Sequence, residues 1–452
     1  MKKNVIILML LIQSIYSSAQ TNPIITSWIQ NTTGITGRHY ISGNSTPIVD
    51  AVLANAQAVQ YSATWSYITT QGIPAYITGP FLDGNPSLAS AQNAIFKFPL
   101  SPIQNTANPT NTTGGNIGVF INGVAFFDYR DGVSWQNSTN SLKGGPLGGM
   151  GDGVWNRDAV VGERLGFDCS KGHPAMGNYH HHQNPSAFKL DLNVISNVCN
   201  LYDADGLYAI DSTQHSPLIG FAYDGFPVYG AYAYQNANGT GPIIRMKSSY
   251  QLRPITTRTT YANGNSVTPG PAVSGTYTIG YFREDYEYIP TTVSTPDYLD
   301  EHNGRFCITP EYPAGIYCYF ATVDANWNSA YPYLIGPTFY GVKNAVKVNS
   351  INEAVTTYSP TTGLTDAAEA NLLMNAFYVP VSDLIAIQAN HLIKTNIEIE
   401  LFDMKGSVVQ KTVLYQGSTI AYFDTRTLYS GQYIIKAIGS DGSFNKVISI
   451  VK

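Results

Sequence analysis

From Thr21 to about Gly341 the chain is built of short apolar and aromatic stretches separated by Gly, Pro, Asn and Asp. AVQYSATWSYI (58–68), NIGVFINGVAFF (116–127) and PYLIGPTFYGV (332–342) are each bounded by turn residues. Such spacing predicts many short strands in a sandwich or a pair of packed sheets, not alternating β/α units. The expected fold class is therefore all-β, with a large β-sandwich-like central domain over 21–342. A helical patch is expected at Ser87–Ala94, too short to alter the class. Charged residues make up only 12% of the chain, and the abundance of aromatic and β-branched residues reinforces the all-β reading. A formal net charge of −5 leaves no basic footprint for nucleic acid and no polybasic membrane patch.

The two ends read differently from the middle. Lys2 and Lys3 precede an apolar run from Val5 to Ile12, and the small residues Ser17, Ser18 and Ala19 follow. This is the pattern of a cleavable secretion signal over 1–20, the apolar run falling short of the roughly 20 residues that span a bilayer. No later segment is apolar enough to cross a membrane. Between residues 343 and 374 apolar periodicity fades into NSINEAVTTYSPTTGLTDAAEA, a linker by composition. From 375 to 452 strand alternation resumes, strongest at Ile397, Ile399 and Leu401, with Lys405-Gly406 and Asp441-Gly442 placed to join hairpins.

In that last segment Pro380-Val381-Ser382-Asp383, the turn from Ile399 to Gly406, Leu428-Tyr429-Ser430-Gly431-Gln432-Tyr433 and a final strand ending at Lys452 occur in order. The series resembles the C-terminal sorting domain of the Bacteroidota type IX secretion system. The resemblance implies a small Ig-like β-sandwich, passage through the outer membrane by the type IX machinery, removal of the domain, and a surface polysaccharide anchor. Its destination would be secreted or on the outer cell surface.

Four cysteines, Cys169, Cys199, Cys307 and Cys318, admit three disulfide pairings in an oxidising compartment. Cys307 and Cys318 flank the turn-rich TPEYPAG, which makes a cross-strand bridge between them geometrically reasonable, and free buried thiols are the alternative.

Five of the eight histidines fall between His173 and His215. On a strand from Tyr179 to Gln183, His180 and His182 would share one face, and Tyr179 and His181 the other. Imidazoles two residues apart on a strand can bind one metal ion, with His173 or His215 as the third ligand. Copper or zinc suits such a set, and an open coordination position would permit hydrolytic or oxidative chemistry where a closed one would be structural. Asp224 is the expected carboxylate orienting a histidine, although Asp224-Gly225 also suits an ordinary hairpin turn. Glu163 and Asp168 carry the same ambiguity. Asp203, Asp205 and Gly206 imitate the start of a calcium loop, but Leu207 and Gln214 stand where further ligands belong, so an Asp-Gly turn is expected.

Tyr179, His180 and His182, with Gly172-His173-Pro174, His215-Ser216-Pro217, Asp224-Gly225-Phe226-Pro227-Val228-Tyr229-Gly230, the segment 299–305 and Pro332-Tyr333-Leu334-Ile335-Gly336, resemble the YHYH family of secreted proteins. The likeness runs from about Val59 to Gly341 and implies no particular reaction. An internal echo accompanies it: PAMGNYHHH (174–182) is shadowed by PAGIYCYF (313–320), with Cys318 in the place of His180 and Phe320 in that of His182. Two related strand-turn units are expected, the second structural. No G-x-S-x-G elbow, P-loop or H-E-x-x-H helix is present, which disfavours an α/β-hydrolase, a P-loop nucleotide-binding protein and a zincin. The leading expectation is a secreted metal-binding protein, and the alternative is a metal-free surface module in which abundant Tyr and Trp bind glycan or another extracellular ligand.

Overall fold

The computed structural model describes residues 20–43, 46–83, 87–145, 151–186, 206–208, 210–359, 374–389, 395–404, 406–439, 442–450 and 452. The expected secretion signal, Cys199, the Asp203 and Asp205 turn and the Lys405 and Asp441 hairpin positions lie outside the described residues. The chain divides into two compact units, Met1–Ser359 and Pro360–Lys452. Both are all-β; the two α-helices among the described residues have four residues each.

The first unit is organised by β1 (Ala56–Tyr61), β2 (Trp65–Thr70), β3 (Ala94–Pro99), β4 (Asn116–Phe120), β5 (Ala125–Phe127), β6 (Gly172–Ala175), β7 (Asn178–His181), β8 (Leu218–Ala222), β9 (Pro227–Tyr229), β10 (Gly304–Cys307), β11 (Ile316–Phe320), β12 (Val346–Val348) and β13 (Thr356–Tyr358). An antiparallel sheet runs β12-β3-β2-β1-β13, and an eight-stranded mixed sheet runs β6-β7-β5-β4-β8-β9-β11-β10. Both sheets feed one apolar cluster, in which Val59, Ile68, Phe96 and Phe98 join Val119, Phe221 and Val228. Strands short enough to be separated by Gly and Asn turns, yet buried on the shared face, account for the punctuated apolar pattern.

The eight-stranded sheet is a duplication. Hairpin β4–β5 is followed after an insertion by hairpin β6–β7, with β7 parallel to β5. Hairpin β8–β9 is followed by β10–β11, with β11 parallel to β9, and the halves meet at the antiparallel pair β4–β8. The local details repeat as well. Asp168 Oδ1 accepts from Ser170 N and Gly172 N while Tyr179 Oη donates to its other oxygen. Asp300 Oδ1 accepts from His302 N and Gly304 N, and Tyr317 Oη donates to it. In register, Arg305 pairs with Cys318 as His173 pairs with His180. The echo seen in the sequence is thus one corner of a four-strand repeat.

Three expectations are corrected. Ser87–Ala94 is not helical: Asn93 takes a positive φ of 45°, and Ser90 N and Gln92 N donate to Gly177 and Gln71 carbonyls instead of to their own turn. Residues 332–342 form turns with isolated bridges, not a strand, because Pro332, a positive φ at Tyr333 and Pro337 break the extended path. Within the expected linker, β12 and β13 are built onto the edges of the five-stranded sheet, so that stretch belongs to the first unit. Cys307 and Cys318 are buried free thiols, since their register partners are Ile316 and Arg305 and the two cysteines meet only diagonally. Cys169 is disulfide-bonded.

The second unit contains β14 (Met374–Val379), β15 (Leu384–Ala389), β16 (Ile397–Asp403), β17 (Val408–Leu414), β18 (Ile420–Asp424), β19 (Gly431–Gly439) and β20 (Gly442–Ile450). Sheets β14-β15-β18 and β17-β16-β19-β20 close on one core of alternating residues, including Ile385 and Ile387 from one sheet and Ile399, Leu401, Ile435 and Ala437 from the other. It is a small β-sandwich. Among the described residues no helix is long and apolar enough to cross a membrane.

Candidate metal centre

The centre is assembled on hairpin β6–β7. Met176 and Gly177 join its strands with positive φ values of 51° and 85°, the two-residue turn whose twist matches paired strands. The start of β6 is tied down by Asp168, whose carboxylate accepts from the backbone of Gly79, Ser170 and Gly172 and from Tyr179 Oη. Burial nevertheless pushes its pKa up to about 7. Gly172 is required there, since a Cβ would stand 2.3 Å from Tyr179 Oη.

This hairpin register places His173 directly opposite His180. Strand alternation puts His182, one residue beyond β7, on the same side, while His181 turns to the core and meets Tyr76 Oη at 2.7 Å. His173, His180 and His182 are all buried, and one ring nitrogen from each lies within 4.8 Å of the others. His180 Nε2 is 3.1 Å from His182 Nε2. The far nitrogens face carbonyls, His180 Nδ1 at 2.9 Å from Asn178 O and His182 Nδ1 at 2.5 Å from Asp128 O. A carbonyl can only accept, so each Nδ1 carries hydrogen and each neutral ring presents a bare Nε2 lone pair to the other. Phe127 stacks on His180 at 3.7 Å, and Phe167 meets His173 edge-on at 5.0 Å.

The carboxylate in this cluster is Glu163. It follows a single helical turn, α1 (Ala159–Gly162), which Asp158 caps by accepting from Val160 N and Val161 N. Its Oε2 lies 3.2 Å from both His173 Nε2 and His182 Nε2. Those approaches are close in distance but poor in hydrogen-bond direction, and Glu163 Oε2 and His173 Nε2 remain buried without a hydrogen bond. Burial opposes the charge on Glu163, yet His173 and His182 hold it well below the usual carboxylate range. Burial also opposes a charge on His182, and Glu163 outweighs it, so its pKa lies above the ordinary histidine value. Burial together with His173 and His182 drives His180 well below that value.

The donor set fits a transition metal ion. Zinc–imidazole bonds of about 2.0–2.1 Å at tetrahedral angles separate two nitrogens by about 3.3 Å, close to what His180 and His182 already show. Glu163 Oε2 is the natural fourth donor, and its side chain, 21% exposed, is the one member of the set that reaches toward solvent.

Two expected site residues are elsewhere. His215 belongs to the other half of the duplication: Nδ1 contacts Ser216 O at 2.7 Å and the ring packs on Tyr229 and Tyr234. The shared histidine-rich stretch placed it near in sequence, but the chain crosses between the halves before reaching it. Asp224 is committed to its own turn, accepting from Phe226 N, Gly341 N and Tyr319 Oη, and among the described residues it orients no histidine. The carboxylate beside the histidines is Glu163, placed as a further donor and not as the orienting partner expected of Asp224. The sequence marks Glu163 as a carboxylate that either orients a histidine or serves structure, and carries no signal for Phe127 or for the Asp128 carbonyl.

A family model described as YHYH protein matches residues 95–332, and one described as a secretion system C-terminal sorting domain matches 376–451. No curated protein matches the chain. Among solved structures, a Bacteroides vulgatus protein with an immunoglobulin-like beta-sandwich fold matches at 17% identity over 18% of this chain and 86% of its own, with a TM-score of 0.16. The sorting domain marks a secreted or cell-surface protein handled by the type IX machinery. With more than half of its length matched, and with the histidine hairpin inside the match, the chain belongs to the YHYH protein family.

Proposed function

We propose that this is an exported protein whose central unit binds one transition metal ion, copper or zinc, through His173, His180 and His182, with Glu163 completing the set. The single observation that supports it most is the pair of Nε2 atoms at 3.1 Å, both turned toward one point while each ring's Nδ1 faces a carbonyl on the opposite side. In the neutral rings two lone pairs at that separation repel, and either a proton on His182 beside Glu163 or a bound cation relieves them. Bound metal would supply a Lewis acid to the site. Glu163, at the solvent edge, would either ligate it or hold a proton beside it. Export proceeds by the signal over 1–20 and the sorting domain over 375–452, whose removal leaves the central unit at the surface, held by polysaccharide.

Metal analysis of the full chain after chelation and reconstitution tests this. One equivalent of zinc or copper per chain is expected, lost in His180→Ala/His182→Ala. At a hundredfold excess over Kd the ion adds about 2.7 kcal/mol. For a unit ending at Ser359, with roughly 2.1 cal/mol/K of unfolding entropy per residue, that raises Tm by about 4 °C. A chain that retains no metal and whose Tm is unmoved by zinc and by copper overturns the reading.

A further inference from the structure

The first unit carries a second cavity that the metal centre does not use, about 520 Å³, a size in the range of small-ligand sites. One wall is tyrosine. Tyr286 and Tyr331 stack at 4.1 Å, Tyr250 meets Tyr331 edge-on at 5.4 Å, and Tyr288 lies 5.5 Å from Tyr250. Tyr250, Tyr286 and Tyr288 stay partly exposed, so their faces are not consumed by the core. The other wall carries two guanidinium groups, Arg130 and Arg283, 5.5 and 5.4 Å from the ring of Tyr129, and two acidic residues, Glu284 and Glu287.

The arginines differ in how they are held. Arg130 is fastened by Nε and Nη2 to the Asp128 carboxylate and by Nη2 to Thr112 O. Arg283 has one ion pair, Nε to Glu284 Oε1 at 3.3 Å, and among the described residues neither of its Nη atoms has a partner. Glu284 cannot move to meet them, because both of its oxygens accept from Asn156. Arg130 is charge-compensated by Asp128, so the fork left to receive a carboxylate or sulfate is the pair of terminal Arg283 nitrogens. An apolar ligand would desolvate those donors without replacing their partners. A saccharide meets both walls at once: the C–H face of a sugar ring lies on tyrosine, and its hydroxyls accept and donate at the polar groups.

We propose that this cavity is a binding site for an acidic saccharide, one bearing a carboxylate or sulfate on the sugar ring, with Arg283 as the anion-binding residue and the tyrosines as the stacking wall. The site is independent of the metal, although Asp128 touches both: its carboxylate holds Arg130 and its carbonyl faces His182.

Calorimetry with the full chain tests it, using trigalacturonate, its methyl ester, a sulfated trisaccharide and maltotriose. The acidic ligands are expected to bind, trigalacturonate at least tenfold more tightly than its methyl ester or maltotriose, with affinity falling as salt rises. Arg283→Gln is expected to weaken trigalacturonate at least tenfold at an unchanged Tm, and Tyr288→Ala to weaken all saccharides alike. The ester comparison needs no variant, so a misfolded substitution leaves the test intact. Absence of saccharide binding, equal affinity for ester and acid, or an Arg283→Gln chain that folds and binds unchanged would each overturn the proposal. Binding that survives in His180→Ala/His182→Ala and in chelator is expected, which separates this result from the fate of the metal reading.

Discussion

Replacing Glu163 by Gln keeps the side-chain shape and removes one charge from the histidine cluster. Oε2 lies 3.2 Å from His182 Nε2, and at an effective dielectric of about 20 a full charge pair at that distance is worth about 5 kcal/mol before desolvation. Withdrawing both groups from water offsets about half of this, so the net loss in the metal-free chain should be about 2–3 kcal/mol. The sign with pH follows from the two shifts. Glu163 is depressed, so its contribution is present above the unfolded carboxylate value of about 4.3 and is lost as pH falls through its folded value. His182 is raised, so its contribution is complete below about 6.5 and is lost as pH rises through its folded value. The full effect therefore appears between about pH 4.3 and 6.5. Urea denaturation in chelator, followed by tryptophan fluorescence, should show the 2–3 kcal/mol deficit at pH 5.5 and less than about 1 kcal/mol at pH 9. Equal deficits at the two pH values, or a variant as stable as wild type at pH 5.5, would refute the assignment of Glu163 as the counter-charge of His182.

Phe127→Ala removes the partly buried ring stacked on His180 and should cost about 2–3 kcal/mol by urea denaturation, below the range for a fully buried aromatic, with weaker metal retention because the imidazole loses its wall. Asp168→Asn turns an amide nitrogen either on Gly79 N and Tyr179 Oη, which share Oδ2, or on Ser170 N and Gly172 N, which share Oδ1; a loss of about 1–3 kcal/mol is expected in the same assay, and no change in midpoint would argue against the carboxylate as the anchor of β6. His215→Ala and Asp224→Asn should leave metal stoichiometry at the wild-type value, Asp224→Asn losing stability alone. A drop in bound metal in either variant would restore them to the site.

The punctuated apolar pattern was sufficient for the all-β class, because a strand's period of two and its turn residues are local properties. The same locality made His180 and His182 legible as one face, and the PAMGNYHHH and PAGIYCYF echo legible as a repeat. Edge strands β12 and β13 were not legible: three residues each, with little of either buried, leave no periodicity, and only pairing with β3 and β1 makes them strands. Segment 332–342 failed in the opposite way, apolar because it is buried, yet turned by its prolines and Tyr333. For the site, His173 needed the hairpin register, Glu163 needed the capped turn of α1, and the exclusion of His215 needed the crossing into the second half of the duplicated sheet. Which histidines face one another across a hairpin, and which carboxylate reaches them, are long-range facts. The sequence by itself determined the all-β class and the C-terminal sorting domain, and tertiary structure alone decided which histidines and which carboxylate converge, because convergence of side chains depends on pairing between segments that no local pattern encodes.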